Sequence, residues 1–165
     1  MRRCPDDLQD PWAGIPAGEL MLDHPIAMEL PEGWTVLSGG SWSPPPIAGL
    51  TSFVELADDE VVVTVATRDY SRGPDCLLDE ITGQGAGGRD GSTTRTDLSL
   101  RANVRVCALC DSNGAEEFFV AALVMARQEN APAGVGVEVV AAGPAGAITE
   151  RLPMLWSMVS TIGFR

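Results

Sequence analysis

At 165 residues the chain is long enough to bury one sizeable core and fits a single domain. Its formal net charge of −12 is spread along the whole length, which sets it against phosphate backbones and anionic lipid surfaces and excludes both as natural partners. Apolar residues make up 45% and charged residues 21%, a balance that excludes an intrinsically disordered chain.

Residues 1–20, "MRRCPDDLQDPWAGIPAGEL", are rich in Pro, Gly and Asp and lack periodicity, so they read as a flexible N-terminal arm ahead of one α+β domain over 21–165. No apolar run precedes Cys4, so "MRRC" does not read as a lipoprotein leader, and the expected location is the cytoplasm. The first strand is "IAMELP", 26–31, closed by Pro31 and Gly33. "TVLS" continues as a short second segment, and "GGSWSPPP" reads as loop. The clearest hairpin follows: a strand over 51–57, a turn at Asp58-Asp59-Glu60 and a Val-rich return over 61–68. "GPDCLLDEITG" has the marks of a short helix, with Pro74 in the first turn, Asp75 at the positive end of the dipole and Gly83 as C-cap.

Gly83, Gly85 and Gly88 form G-x-G-x-x-G, but the run follows a helix and opens into strand-like sequence. A nucleotide site needs the reverse order, since a helix N-terminus must hold the phosphates, so a loop is expected here. "TRTDLSL" and "NVRVCALC" are two further strands, and "DSNG" turns the second into the long strand "AEEFFVAALVMAR". Its apolar core, Phe118 to Ala126, is of strand length and too short to span a membrane. "ENAPAG" reads as loop and "VGVEVVAAG" as the last strand. The C-terminal stretch carries Ile148, Leu152, Leu155, Val159 and Ile162 at helical spacing; Pro153 inside it predicts a kink or a late start. Antiparallel hairpins with two helices place the fold in the α+β class, an antiparallel sheet flanked by helices with a long C-terminal helix.

Cysteines at 4, 76, 107 and 110 include one C-x-x-C, Cys107 to Cys110. On a strand, residues three apart face opposite ways, so this pair shares neither a metal nor a disulfide, and buried structural thiols are expected. His24, the only histidine, lies beside Asp23 and before Pro25 at the entrance of the first strand and reads as structural, not as a catalytic base. Glu116-Glu117 and Asp58-Asp59-Glu60 lie in or beside turns and read as solvated; adjacent Glu116 and Glu117 cannot face one another as a dyad. No G-x-S-x-G elbow is present, and no catalytic residue, cofactor or metal site is assigned. All 11 basic residues are Arg, which with abundant Ala and Gly reads as a high-GC bacterial coding signature.

The strand ending in "LPEGW", the hairpin "TSFVEL…VVVTVAT", the short helix and the C-terminal "MVSTIGFR" together resemble the PsbP-like α/β/α sandwich superfamily over about 20–165. That group includes the extrinsic photosystem II protein, a Ran-binding nuclear-import factor, and bacterial DcrB-type and LpqN-type proteins. Its Pro-x-Gly-Trp is matched by Pro31, Gly33 and Trp34, and its Ser-Phe-x-Phe-like ending, more loosely, by Ser160 to Phe164. The resemblance implies a structural corner at "LPEGW", with Pro31 ending the ladder, Gly33 taking a positive φ and Trp34 packing under the sheet. It also implies a non-enzymatic scaffold that binds other proteins, as the DcrB-type chaperones and adaptors do.

The function expected is an intracellular protein-binding module, a secretion-associated chaperone or adaptor, whose partner is another protein or a second copy of itself. The residues expected to meet that partner are Trp12, Trp42, Pro45 and Ile47, since aromatics near prolines suit peptide docking. The alternative is a small-molecule-binding protein or enzyme with a pocket between the sheet and the C-terminal helix, near His24 or Cys107.

Overall fold

The computed structural model describes residues 16–22, 26–41, 50–83, 95–101, 104–126 and 134–164. Among the described residues ten strands and two helices follow in the order β1 (Pro16–Leu22), β2 (Ile26–Pro31), β3 (Thr35–Ser41), β4 (Leu50–Ala57), β5 (Val62–Asp69), α1 (Pro74–Thr82), β6 (Arg95–Arg101), β7 (Val104–Ser112), β8 (Glu116–Ala126), β9 (Gly134–Pro144), α2 (Ala147–Thr161) and β10 (Gly163–Phe164). The fold is α+β, as its hairpin-rich sequence requires.

Seven strands form one antiparallel sheet in the order β3-β4-β5-β9-β8-β7-β6, and β1-β2-β10 form a second, smaller one. The "LPEGW" corner carries the chain from the small sheet to the large one. Pro31 ends β2, Gly33 takes φ +90, the Trp34 amide donates to the Pro31 carbonyl at 3.3 Å, and the Trp34 ring is buried in the core. A positive φ there is strained for any residue with a Cβ, which is why glycine fills it.

The large sheet is covered on both faces, and β8 shows it. Phe119, Ala121, Leu123 and Met125 join a core with α2, β2 and Trp34, while Val120 and Ala122 join a second core with Leu77 and Leu78 of α1. Burial on both faces explains why β8 reads as a continuous apolar run, without the alternation of a half-exposed strand. Helix α1 begins with Pro74 at its first turn and ends on Gly83, whose N–H donates to the Asp79 carbonyl. Helix α2 runs through Pro153 without a late start, its stripe facing the sheet through Ile148, Leu155, Val159 and the capping Ile162. Thr161 ties its end to the small sheet: its Oγ1 accepts the Glu29 N–H at 3.0 Å and donates to the Met158 carbonyl at 2.7 Å.

Four sequence expectations need correction. Residues 16–20, assigned to the N-terminal arm, belong to β1, because β2 offers them an antiparallel partner from Leu22↔Ile26 to Pro16↔Pro31. Gly39, Gly40 and Ser41, read as loop, continue β3 opposite Val54, Phe53 and Ser52 at the sheet edge. Two of the five carboxylates read as solvated are not: Glu117 is 2% exposed, and Asp58 sits half-buried against Arg151, while Glu116, Asp59 and Glu60 are exposed. Cys110 is disulfide-bonded, whereas Cys76 and Cys107 carry thiols. Cys107 and Cys110 do face opposite ways, into the α1-side and α2-side cores respectively, so the bond does not join them.

Candidate functional site

Helix α1 lies across β7, β8 and β9. It can approach because β9 has Gly136 beneath it: a Cβ there would stand 2.9 Å from Tyr70 Cβ and 3.0 Å from Leu77 Cδ2. The last turns of α1 meet different chemistry on different sides.

On one side, through Glu80 in its last turns, a charged cluster sits on the sheet. Arg68 of β5 reaches Glu80 of α1 at 2.8 Å and Glu138 of β9 at 3.5 Å, and its guanidinium stands 5.3 Å from the Tyr70 ring centroid. Arg72, exposed, reaches Glu80 at 3.6 Å. Burial raises the Glu138 carboxyl above its ordinary value, opposed by Arg68. Burial and the neighbouring Glu80 carboxylate push the Tyr70 phenol up to about 12. Two arginines here face two glutamates, so the charges compensate. The arrangement suits a clamp joining α1 to the sheet better than a proton-transfer site.

At the C-terminal end a cavity of about 190 Å³ opens between the last turn of α1 and the sheet, lined by Ile81, Thr82, Leu109, Asp111, Phe118, Val120 and Val140. Strand register builds its floor. Leu109, Val120 and Val140 stand side by side across β7, β8 and β9, and Asp111 and Phe118 form the next row. Because α1 stops at Gly83, its last turn covers these rows only in part among the described residues. Among the described residues the walls are apolar apart from two groups. Thr82 Oγ1 donates to the Leu78 carbonyl at 2.8 Å, and Asp111, 8% exposed, accepts the Ser112 N–H on Oδ1 at 2.8 Å.

The cavity lies on the face of the sheet opposite to the one expected. The α2 side is filled: Phe119 and Trp156 are buried in an edge-to-face pair with centroids 5.2 Å apart. Sequence reading missed the cavity because it tied the pocket to the longer helix. The available signal was the pairing of a nine-residue helix with eleven-residue strands, which a helix that short cannot cover.

Trp12, Trp42, Pro45 and Ile47, expected to meet a partner, lie outside the described residues, as does His24. Cys107 lies under α1 in the same apolar cluster as Leu109 and Val120. Among the described residues no group of three or more His, Cys, Asp or Glu side chains could hold a metal ion. No described helix is long and apolar enough to cross a membrane. Exposed apolar side chains include Val36 and Leu37 on the edge strand β3, where the ladder steps from Val36↔Leu56 to Ser38↔Glu55 and leaves Leu37 as the extra residue of a bulge, 54% exposed.

No family model and no curated protein matches the chain. The solved structure of LpqN, described as involved in cell envelope biogenesis of Mycobacterium tuberculosis, is similar over 92% of this chain and 86% of that one, with 15% identity and a TM-score of 0.49.

Proposed function

We propose that this chain is a non-enzymatic binding module whose site is the cavity beneath the C-terminal turn of α1. One observation carries the reading: a concave, apolar-walled space with a single ionisable side chain, Asp111, on its described wall. Ligand sites are concave and apolar with few polar groups, whereas acid–base or nucleophilic catalysis needs at least a second group within reach. An amide NMR titration with a library of small organic fragments tests it. Hits that shift the amides of Leu109, Val120 and Val140 together support the site; hits that leave them unmoved and cluster elsewhere overturn it.

A second reading, the chaperone or adaptor expected from the sequence, draws support from the β3 edge. An unpaired edge strand with exposed Val36 and Leu37 suits the addition of a partner strand. Its test is a pull-down from the native source, in which Leu37→Asp should release whatever polypeptide the parent protein retains. The cytoplasmic location expected from the sequence stands in tension with the Cys110 disulfide, since such bonds are rare in the reducing cytosol. The adaptor reading is therefore proposed without a compartment.

A further inference from the structure

We infer that the α1 cavity is built for one aromatic ring, taking a monocyclic arene and gaining nothing from a second fused ring. The inference rests on that cavity being the binding site. Size comes from the volume. A dry apolar cavity of about 150 Å³ holds benzene, so in proportion to carbon number a two-ring arene needs roughly 250 Å³. This cavity is about 190 Å³. One ring with a small substituent fits inside it, and a second ring would stand outside in water.

Shape comes from the sheet. The floor is Leu109, Val120 and Val140, side by side on β7, β8 and β9, with Phe118 in the next row of β8. Strand spacing makes that floor on the order of 10 Å across the strands, and the step from one row to the next adds about 7 Å along them. A patch of nearly equal sides suits a disc better than an extended alkyl chain. The floor is also preformed: Val120 and Val140 are β-branched and stiff at χ1, and both pack in the cluster of Leu77, Leu78 and Leu109. Ile81, in the last turn of α1, faces this floor across the cavity. The chemical preference comes from Phe118, which brings a half-buried aromatic ring to the wall. An aromatic pair gains about two- to tenfold in affinity over apolar contact of the same area. A flat ring between the valines and Ile81 meets Phe118 in a way that a saturated ring of the same size does not.

The test uses three neutral probes that share one hydroxyl: phenol, cyclohexanol and 2-naphthol, titrated against the full chain with amide shifts read at Leu109, Val120 and Val140. Phenol should bind, and cyclohexanol should bind about two- to tenfold more weakly. 2-Naphthol should bind no more tightly than phenol, although burying its second ring would strengthen binding by more than about tenfold. Phe118→Leu, which keeps an apolar wall, should erase the gap between phenol and cyclohexanol. Val140→Phe, filling the space from a half-buried position, should abolish the phenol shifts at Leu109 and Val120. If phenol and cyclohexanol bind the parent chain equally, the preference for an aromatic ring is wrong and the site stands. If 2-naphthol binds more tightly than phenol, the one-ring limit is wrong and the site again stands. Should Phe118→Leu fold and leave the preference unchanged, the assignment to Phe118 is overturned. Should none of the three shift those amides, or Val140→Phe leave the phenol shifts in place, the cavity is no site at all and the proposed function falls with it.

Discussion

The Glu117 carboxylate, at the second position of β8, accepts the N–H of Gly146, the N-cap of α2, at 2.5 Å and across 29 residues of sequence. Gly146 has no side chain to cap the helix with, so the cap comes from the sheet. Thr149 completes it, its Oγ1 donating to Glu117 Oε2 at 3.2 Å. A buried carboxylate at a helix N-terminus is favourable both as an acceptor of unpaired N–H groups and as a charge beside the positive end of the dipole.

Glu117→Ala should therefore destabilise the protein by about 1–3 kcal/mol, because it leaves buried donors unanswered. Urea unfolding at neutral pH measures this. Glu117→Gln, which retains an acceptor oxygen and loses the charge, should cost less. Equal stability of Glu117→Ala and the parent would show that the cap is idle.

Arg151 of α2 grips the β4–β5 turn, with Nε on Asp58 at 2.5 Å and Nη2 on Asp59 at 3.1 Å, while Asp58 Oδ1 also accepts the N–H groups of Glu60 and Val61. Burial tends to raise the Asp58 carboxyl, but the Arg151 hydrogen bond and the two backbone donors outweigh it and hold it below its ordinary value of 3.8. A carboxyl whose folded pKa is depressed adds stability that is present above its unfolded pKa and is lost as pH falls through the folded one. Arg151→Met should cost about 1–3 kcal/mol at pH 7, and its deficit relative to the parent should shrink as pH drops below 3.8. Chemical unfolding across pH 2–7 decides it (roughly the span over which carboxylates titrate). A pH-independent deficit would mean that Arg151 acts through packing alone.

Gly136→Ala should push α1 and the Tyr70 segment away from β9, since the added Cβ would stand 3.0 Å from Leu77 Cδ2 and 2.9 Å from Tyr70 Cβ. Overpacking of this kind costs about 1–3 kcal/mol. The charged cluster should loosen with it, so the Tyr70 phenol, held near 12 in the parent, should titrate at lower pH. Ultraviolet titration of the single tyrosine reads that shift directly.

Alkylation should separate the described cysteines. Cys76, half-buried, should react in the native protein, and Cys107, 2% exposed, only on unfolding. Cys110 should resist until a reductant is added. Mass mapping that finds Cys110 alkylated in the unfolded, unreduced chain would refute the disulfide.

Local chemistry was readable from the sequence. The strand-like "TSFVELA" before Asp58-Asp59-Glu60 and the valine run after it specify a hairpin, Pro74 and Gly83 bracket α1, and the 148–162 periodicity specifies α2, since each signal lies within a few residues of what it controls. The opposite facing of Cys107 and Cys110 followed likewise from the two-residue period of a strand. Only the tertiary structure decided that β1 and β2 would leave the main sheet with β10, that Glu117 and Asp58 would be held by α2, and that the cavity would open under α1. Each of these depends on partners tens of residues apart. Strand pairing, trans-capping and the mismatch between a short helix and long strands are set by which surfaces meet after collapse, and propensity and spacing along the chain do not contain that information.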